Sequence, residues 1–250
     1  MVGEITGGTS RPQRSDKFRN GRIWTAYFGS AIFMICLLSL EACAPPLYHV
    51  DLRYRPTGKL CQPASEKMGH YAVTVAGLND VRKTEDKPLI GKVMNGSGGG
   101  IPILPEHTNV ADSVSSNIRE CLTRLGYGVA TESPSWNLKE DTVHQGWGDM
   151  LVGGNIDELE AACEDSILHL KKTCRVHVKL SIVFASVPER RIFDRLTVRS
   201  SASLEDIFVS EKTIGQLTNA AFSDVVENIF CDSATADKIE RAMKSSRPGI

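Results

Sequence analysis

A cysteine that directly follows an apolar leader is the residue with the clearest chemistry in this 250-residue sequence. Cys43 follows Leu40, Glu41 and Ala42, and the preceding residues 23–40 are almost wholly apolar. Five basic residues come before that run: Arg11, Arg14, Lys17, Arg19 and Arg22. The thiol of Cys43 is the group in this stretch that could be acylated.

The order of basic stretch, apolar run and small residue before a cysteine resembles a bacterial lipoprotein signal peptide. The resemblance implies that residues 1–42 are the signal peptide, that cleavage follows Ala42, and that lipid on Cys43 holds the chain at a membrane. Two alternatives stay open. Cys43 could be an ordinary buried cysteine, or the leader could remain as an uncleaved signal anchor, because about 18 apolar residues can span a bilayer.

The other cysteines favour an oxidising compartment. Beyond Cys43 the chain has five: Cys61, Cys121, Cys163, Cys174 and Cys231. An odd number cannot all pair, so at least one is free. Cys163 and Cys174 flank a charged excursion between two strands and are the candidate disulfide, which would add stability on the order of 3 kcal/mol. The histidines are scattered singly and no Cys-x-x-Cys occurs, so we predict no metal site and no cofactor.

The charge balance argues against nucleic acid as a partner. The chain has 29 basic and 30 acidic residues, and removal of residues 1–42 leaves 24 and 27. No second apolar run of membrane-spanning length follows Cys43. The membrane is therefore the predicted partner only through the N-terminal lipid.

The stretch 43–69 is predicted to be an extended, acylated tether. Four prolines prevent a continuous helix there, although residues 47–54 alternate weakly and could add to a sheet as an edge strand. A buried central strand is predicted at 71–76, followed by a long irregular segment over 79–108. Its glycine run at 95–100 is not followed by the Gly-Lys-Ser/Thr of a phosphate loop, so we interpret it as a surface loop.

Apolar periodicity predicts the rest of the fold. One helix begins at Thr108 or Asn109 and ends at Gly126, and a second covers 210–230. Strands are predicted at 127–130, 150–156, 175–184 and 192–199, with His177 on a solvent-exposed face. We therefore expect an α+β domain over 70–232, with a mixed sheet of about five strands and two amphipathic helices on one face. Residues 233–250 should form a polar C-terminal helix and tail.

Several short motifs in this order resemble the YajG-type family of bacterial outer-membrane lipoproteins. They are Val73-Thr74-Val75, Asn79-Asp80-Val81-Arg82, Ile90-Gly91, Asn109-Val110-Ala111 and Leu122-Thr123-Arg124-Leu125-Gly126-Tyr127. The resemblance covers about residues 70–230 and implies a lipid-anchored, periplasm-facing protein of the outer membrane without established enzymatic activity. The stretches 132–148 and 163–174 are longer than the family needs. We interpret them as surface insertions, with a partner-binding role as the alternative.

The best candidate polar surface site is the pair Asp80 and Arg82, which follows the predicted central strand. The alternative is that the two side chains pair with each other or with the backbone. No nucleophile, base or carboxylate pair with useful spacing occurs elsewhere, so no catalytic residue is predicted. We expect a non-enzymatic binding or assembly module whose partner is another envelope protein or peptidoglycan. An envelope hydrolase acting on peptidoglycan is the alternative from a different class.

Overall fold

The computed structural model describes residues 47–59, 70–95, 99–107, 109–165 and 171–246. The predicted signal peptide at 1–42, Cys43 and Cys61 lie outside these residues. The strands are β1 (Tyr48–Val50), β2 (Ala72–Val75), β3 (Asn79–Asp80), β4 (Gly91–Met94), β5 (Gly100–Pro105), β6 (Gly128–Val129), β7 (Met150–Asp165), β8 (Lys172–Ser186) and β9 (Arg191–Asp206). The helices are α1 (Val110–Arg124), α2 (Glu211–Phe230) and α3 (Ser233–Ser246).

All nine strands belong to one mixed sheet built around β7. Along one edge, β7 pairs in parallel with β2, then β3, then β4. Along the other edge it pairs with β8, which in turn pairs with β9, both antiparallel. The predicted α+β class is confirmed, but the predicted number of strands was too low. Strands of two to six residues such as β3, β4 and β5 are too short to show a period in sequence. The long edge of β7 aligns β3 and β4, and β5 pairs in turn with β4.

The main core lies where the helices pack on one face of the sheet. Asn109 caps α1 by accepting a hydrogen bond from the N–H of Asp112, and Gly126 follows the helix with φ of +93°, as its position predicted. Ser210 caps α2 in the same way through the N–H of Thr213. From β8 the alternate residues Val176, Val178, Leu180, Ile182 and Phe184 point into this core.

A helix forms at Ser233–Ser246, within the predicted polar helix and tail at 233–250, but it packs on the folded domain instead of lying exposed. Ile239 and Met243 of α3 are fully buried in the main core. These two residues are four positions apart and therefore lie on the same side of the helix, above one another. Two apolar residues over two turns form a narrow stripe. The sequence pattern did not reveal it, because the surrounding residues are mostly charged.

A second, smaller core covers part of the opposite face of the sheet. Trp136 and Val143, from the stretch between β6 and β7, are buried there against Leu151, Val183 and Ala185 of β7 and β8. The expectation that 132–148 is a surface insertion is therefore wrong. This stretch closes one end of the second face, because β8 carries apolar residues on both faces near its end and these need a cover.

The segment 47–59 packs on the domain, in contrast to the predicted tether. β1 joins the sheet as an edge strand parallel to β5, as the weak alternation indicated. After it, Leu52 and Tyr54 are buried in the main core. Residues 47–59 therefore belong to the folded domain, and the described structure begins only four residues after Cys43.

Side chains from two helices hold this segment in place. They form hydrogen bonds with its backbone N–H and C=O groups, which in a sheet would bond to a neighbouring strand. Asn117 of α1 accepts a hydrogen bond from the N–H of Tyr54 and donates one to the carbonyl of Leu52, at 2.8 and 3.0 Å. Asn219 of α2 does the same one residue earlier, at 3.0 and 2.9 Å. These bonds satisfy buried amide groups that would otherwise destabilise the fold.

The carboxylate of Glu227 extends the same arrangement at the far end of α2. It is buried and accepts hydrogen bonds from the N–H of Thr57 at 2.8 Å, from the hydroxyl of Thr57 and from the hydroxyl of Tyr54 at 3.1 Å. By the helical period, Asn219 and Glu227 lie away from the apolar stripe of α2. They are buried because an extended segment lies over them and offers them hydrogen-bond partners.

Candidate binding surface

Asp80 and Arg82 pair with each other at the end of β3. This is the alternative to a surface site that the sequence left open. Arg82 donates from Nε to Asp80 Oδ1 at 2.9 Å and from Nη2 to Asp80 Oδ2 at 2.7 Å. Its Nη1 donates to the carbonyls of Leu89 and Leu159 at 2.9 and 3.3 Å, and Nη2 also donates to the carbonyl of Lys87. A guanidinium has five N–H groups, and this environment engages each of its nitrogen atoms.

Arg82 is not a surface residue, which corrects its assignment to a polar surface site. Only 4% of its side chain is exposed. Its role is to fasten the loop between β3 and β4 to the backbone of β7. Burial alone would raise the pKa of Asp80, but the hydrogen bonds and positive charge of Arg82 outweigh this effect and hold that pKa below its usual value. The carboxylate therefore stays ionised as one half of a structural ion pair.

An open groove of about 770 Å³ lies beside this pair, lined by the loop after β3 and by residues of β4, β7 and β8. Its walls alternate in charge. Carboxylates come from Glu158, Glu160 and Glu164 of β7, and ammonium groups come from Lys83, Lys92 and Lys179. Sequence analysis did not identify these residues, because β4 was not recognised and the distal half of β7 was not assigned to a strand.

The groove continues onto an uncovered part of the second sheet face. The side chain of His177 is exposed there, as predicted, opposite Glu160 in register. Glu158 and Lys179 lie 3.8 Å apart across the same pair of strands, as do Glu164 and Arg175. Exposed ion pairs of this kind contribute at most about 1 kcal/mol each, so these charges can exchange partners with a polar ligand at little cost.

The described residues hold no group of three or more His, Cys, Asp and Glu side chains that could bind a metal ion.

The cysteines of the described residues are unsuited to nucleophilic catalysis. Cys163 and Cys174 face each other on β7 and β8 and form the disulfide that the sequence predicted, and Cys231 is disulfide-bonded too. Cys121 is a free thiol, fully buried on α1. Burial raises the pKa of Cys121 to about 11, so the thiol is protonated at neutral pH.

Two exposed apolar side chains were also missed by sequence analysis. Ile207 and Phe208 follow directly after β9 and are 60% and 82% exposed. Their position between the end of a strand and Ser210, the cap of α2, is the sequence feature that could have indicated their exposure. Apolar residues in a short connection have no helical or strand period, so pattern analysis left them unassigned.

Comparison with known proteins gives fold-level likeness alone. No protein-family model matches the chain, and no curated protein matches it. Among solved structures, a Xanthomonas campestris protein of family DUF330 has 12% identity and a TM-score of 0.49, covering 78% of this chain and 98% of its own. Lipoprotein GNA1162 from Neisseria meningitidis has 9% identity and a TM-score of 0.35, covering 63% and 99%. A minor lipoprotein from Acinetobacter baumannii has 13% identity and a TM-score of 0.25, covering 74% and 96%.

These identities and TM-scores establish neither a family nor an activity for this chain. In the part of the chain that the structure describes, no helix is long and apolar enough to cross a membrane.

Proposed function

We propose that this chain is a bacterial lipoprotein, anchored through Cys43 to the periplasmic face of the outer membrane, that acts by binding rather than by catalysis. The leader and the Leu40-Glu41-Ala42-Cys43 motif support the lipid anchor. The Cys163–Cys174 disulfide supports an oxidising compartment such as the periplasm. The motifs that resemble the YajG-type family support the outer membrane as the location.

The observation that best supports binding over catalysis is that the guanidinium of Arg82 is fully hydrogen-bonded within the fold. The strand end that offered the best position for a reactive group holds a closed ion pair, in which Arg82 contacts Asp80 and three backbone carbonyls. The groove beside it presents exposed charges of both signs on a rigid sheet. Such a surface suits a polar, extended partner, either a segment of another envelope protein or a peptidoglycan strand.

Replacement of Cys43 by serine should abolish incorporation of an alkyne fatty acid completely and leave the chain unprocessed, because serine provides no thiol for acylation. Metabolic labelling followed by gel fluorescence measures this. Replacement of Cys36, the other cysteine of the leader region, is the matched control and should leave labelling intact. Labelling that persists in Cys43→Ser, or recovery of the acylated protein only with inner-membrane markers, would contradict the proposed anchor or its location.

A photo-crosslinking residue at Glu160 should capture a discrete envelope protein or peptidoglycan fragment in intact cells, because this exposed position lines the groove. The same residue at Glu132, which is exposed but does not line the groove, is the control. Mass spectrometry and muropeptide analysis identify the product. Equal products from both positions would show that the groove is not the binding site. Turnover of purified muropeptides by the folded protein would show that it is a hydrolase and not a binding module.

A further inference from the structure

Four strand ends define one end of the sheet, which we call the anchor end. β7 and β9 finish there, at Asp165 and Asp206, while β8 begins there at Lys172, which is in register with both. β5 also begins at this end, since Gly100 pairs with Met94 at the end of β4. β1 runs parallel to β5, with Tyr48 opposite Ile103, so the chain enters the domain from the anchor end.

The apolar surface of the described domain is concentrated at this same end. Five large apolar side chains are exposed among the described residues: Leu47, Val81, Leu204, Ile207 and Phe208. All except Val81 lie at the anchor end, because Leu47 precedes β1 and the other three lie at or just after the end of β9. The exposed Phe208 ring is the largest of these side chains.

Covalent geometry places these side chains near the predicted lipid. Leu47 follows Cys43 by four positions, a length of chain that spans at most about 14 Å when fully extended. The backbone N–H of His49 donates to Glu211 Oε1 at 2.9 Å. Glu211 follows Phe208 by three residues, which is at most about 11 Å of chain. Phe208 and the acylated residue are therefore both within reach of a single bilayer surface.

We propose that Ile207 and Phe208 insert into the interfacial layer of the bilayer in which the lipid of Cys43 is embedded, so that the domain stands with its anchor end on the membrane. The inference rests on the proposed lipid anchor and adds a second, protein-based contact. The acyl chains keep the apolar pair at a high effective concentration beside the bilayer, so a contact that is weak alone becomes persistent.

The charges around the pair indicate which lipids are needed. Glu205, Asp206 and Glu211 flank the two residues, with Lys212 as the nearest cation along the chain. Lys172 lies opposite Asp206 in register, and the exposed Lys171 precedes it. Charges of both signs therefore surround the pair, so insertion depends on apolar burial and should occur in zwitterionic bilayers.

Tryptophan fluorescence in vesicles of brominated phosphatidylcholine tests this orientation. Acylated Phe208→Trp protein, purified from membranes and reconstituted, should lose about half of the emission that the new tryptophan adds, because tryptophan prefers the bilayer interface where bromine quenches it. Ile207→Trp should behave alike. Val81→Trp is the matched control, since Val81 is also exposed but adjoins Asp80, opposite Ile156, nine residues or about 30 Å along β7 from the anchor end. It should lose almost nothing.

The outcomes separate this inference from the proposed anchor. Quenching of both anchor-end tryptophans beyond the control supports the inserted pair. An acylated, vesicle-bound protein in which Phe208→Trp and Ile207→Trp are quenched no more than Val81→Trp overturns the inserted pair and leaves the anchor standing, which would assign the apolar pair to a protein partner instead. A protein recovered without acyl chains overturns both proposals.

Discussion

Replacing Arg82 by alanine is expected to lower the free energy of unfolding by about 3–5 kcal/mol, the usual cost of removing one partner from a buried ion pair. The truncation leaves the carboxylate of Asp80 without its partner. It also leaves the carbonyls of Lys87, Leu89 and Leu159 without the donors that the guanidinium supplies. Urea unfolding followed by circular dichroism measures the change.

Asp51 and Arg53 provide a matched control for this prediction. They are also an aspartate and an arginine two residues apart, with Arg53 Nε 2.5 Å from Asp51 Oδ2, but 62% of the Arg53 side chain is exposed. Arg53→Ala should cost no more than about 1 kcal/mol, because water screens the pair and replaces it. Equal effects of Arg82→Ala and Arg53→Ala would contradict a structural role for the buried pair.

The same pair predicts a dependence of stability on acid. The pKa of Asp80 is lower in the folded protein than in the unfolded chain, where an aspartate has a pKa of about 3.9. The unfolded state therefore binds more protons, and the contribution of the pair is present above that value and lost as pH falls through the folded pKa. Between neutral pH and pH 3, Arg82→Ala should lose less stability than the native sequence.

Truncation of Trp136 to alanine is the second large effect, with an expected loss of about 3–5 kcal/mol for a buried aromatic side chain. Trp136 is 2% exposed and its Nε1 donates to the carbonyl of Lys139 at 3.0 Å. Its ring lies on Gly153, where an added Cβ would be 2.5 Å from the ring carbon Cε3. The truncation removes the largest side chain of the second core and should release the stretch 132–148 from the sheet.

Trp147 is the natural comparison because it lies in the same stretch but is only partly buried, against the ring of His144. Trp147→Ala should therefore cost clearly less than Trp136→Ala in the same unfolding measurement. Limited proteolysis gives a second measurement, since Trp136→Ala should expose 132–148 to cleavage while 175–184 stays protected. Similar stability of both variants would mean that the second core contributes little to the domain.

Elements with a long period were predictable from the sequence. The apolar stripes of α1 and α2 and the alternation in β8 repeat over many residues, and the caps Asn109 and Ser210 fall where the helices begin. The disulfide pair was predictable because its two cysteines flank one excursion between two strands. These features depend on residues close in sequence, which a local pattern contains.

The groove and the apolar pair were not predictable in the same way. β4 has four residues, and its place in the sheet depends on pairing with Ala161 to Cys163 of β7, about 70 positions along the chain. A short strand has little periodicity of its own and is formed by the edge that receives it. The lysines and glutamates of the groove could not be brought together without that pairing.

The sequence alone therefore predicted export and acylation at Cys43, and it determined the α+β class and the long helices and strands, because each depends on residue types at short spacing. Only the tertiary structure decided that Arg82 is buried, that 47–59 belongs to the domain, and that the apolar surface lies at the end of the sheet that the N-terminal chain enters. These facts depend on partners far away in sequence. Burial of a polar side chain is favourable only where another segment supplies its hydrogen bonds, and that supply exists only after the chain has folded.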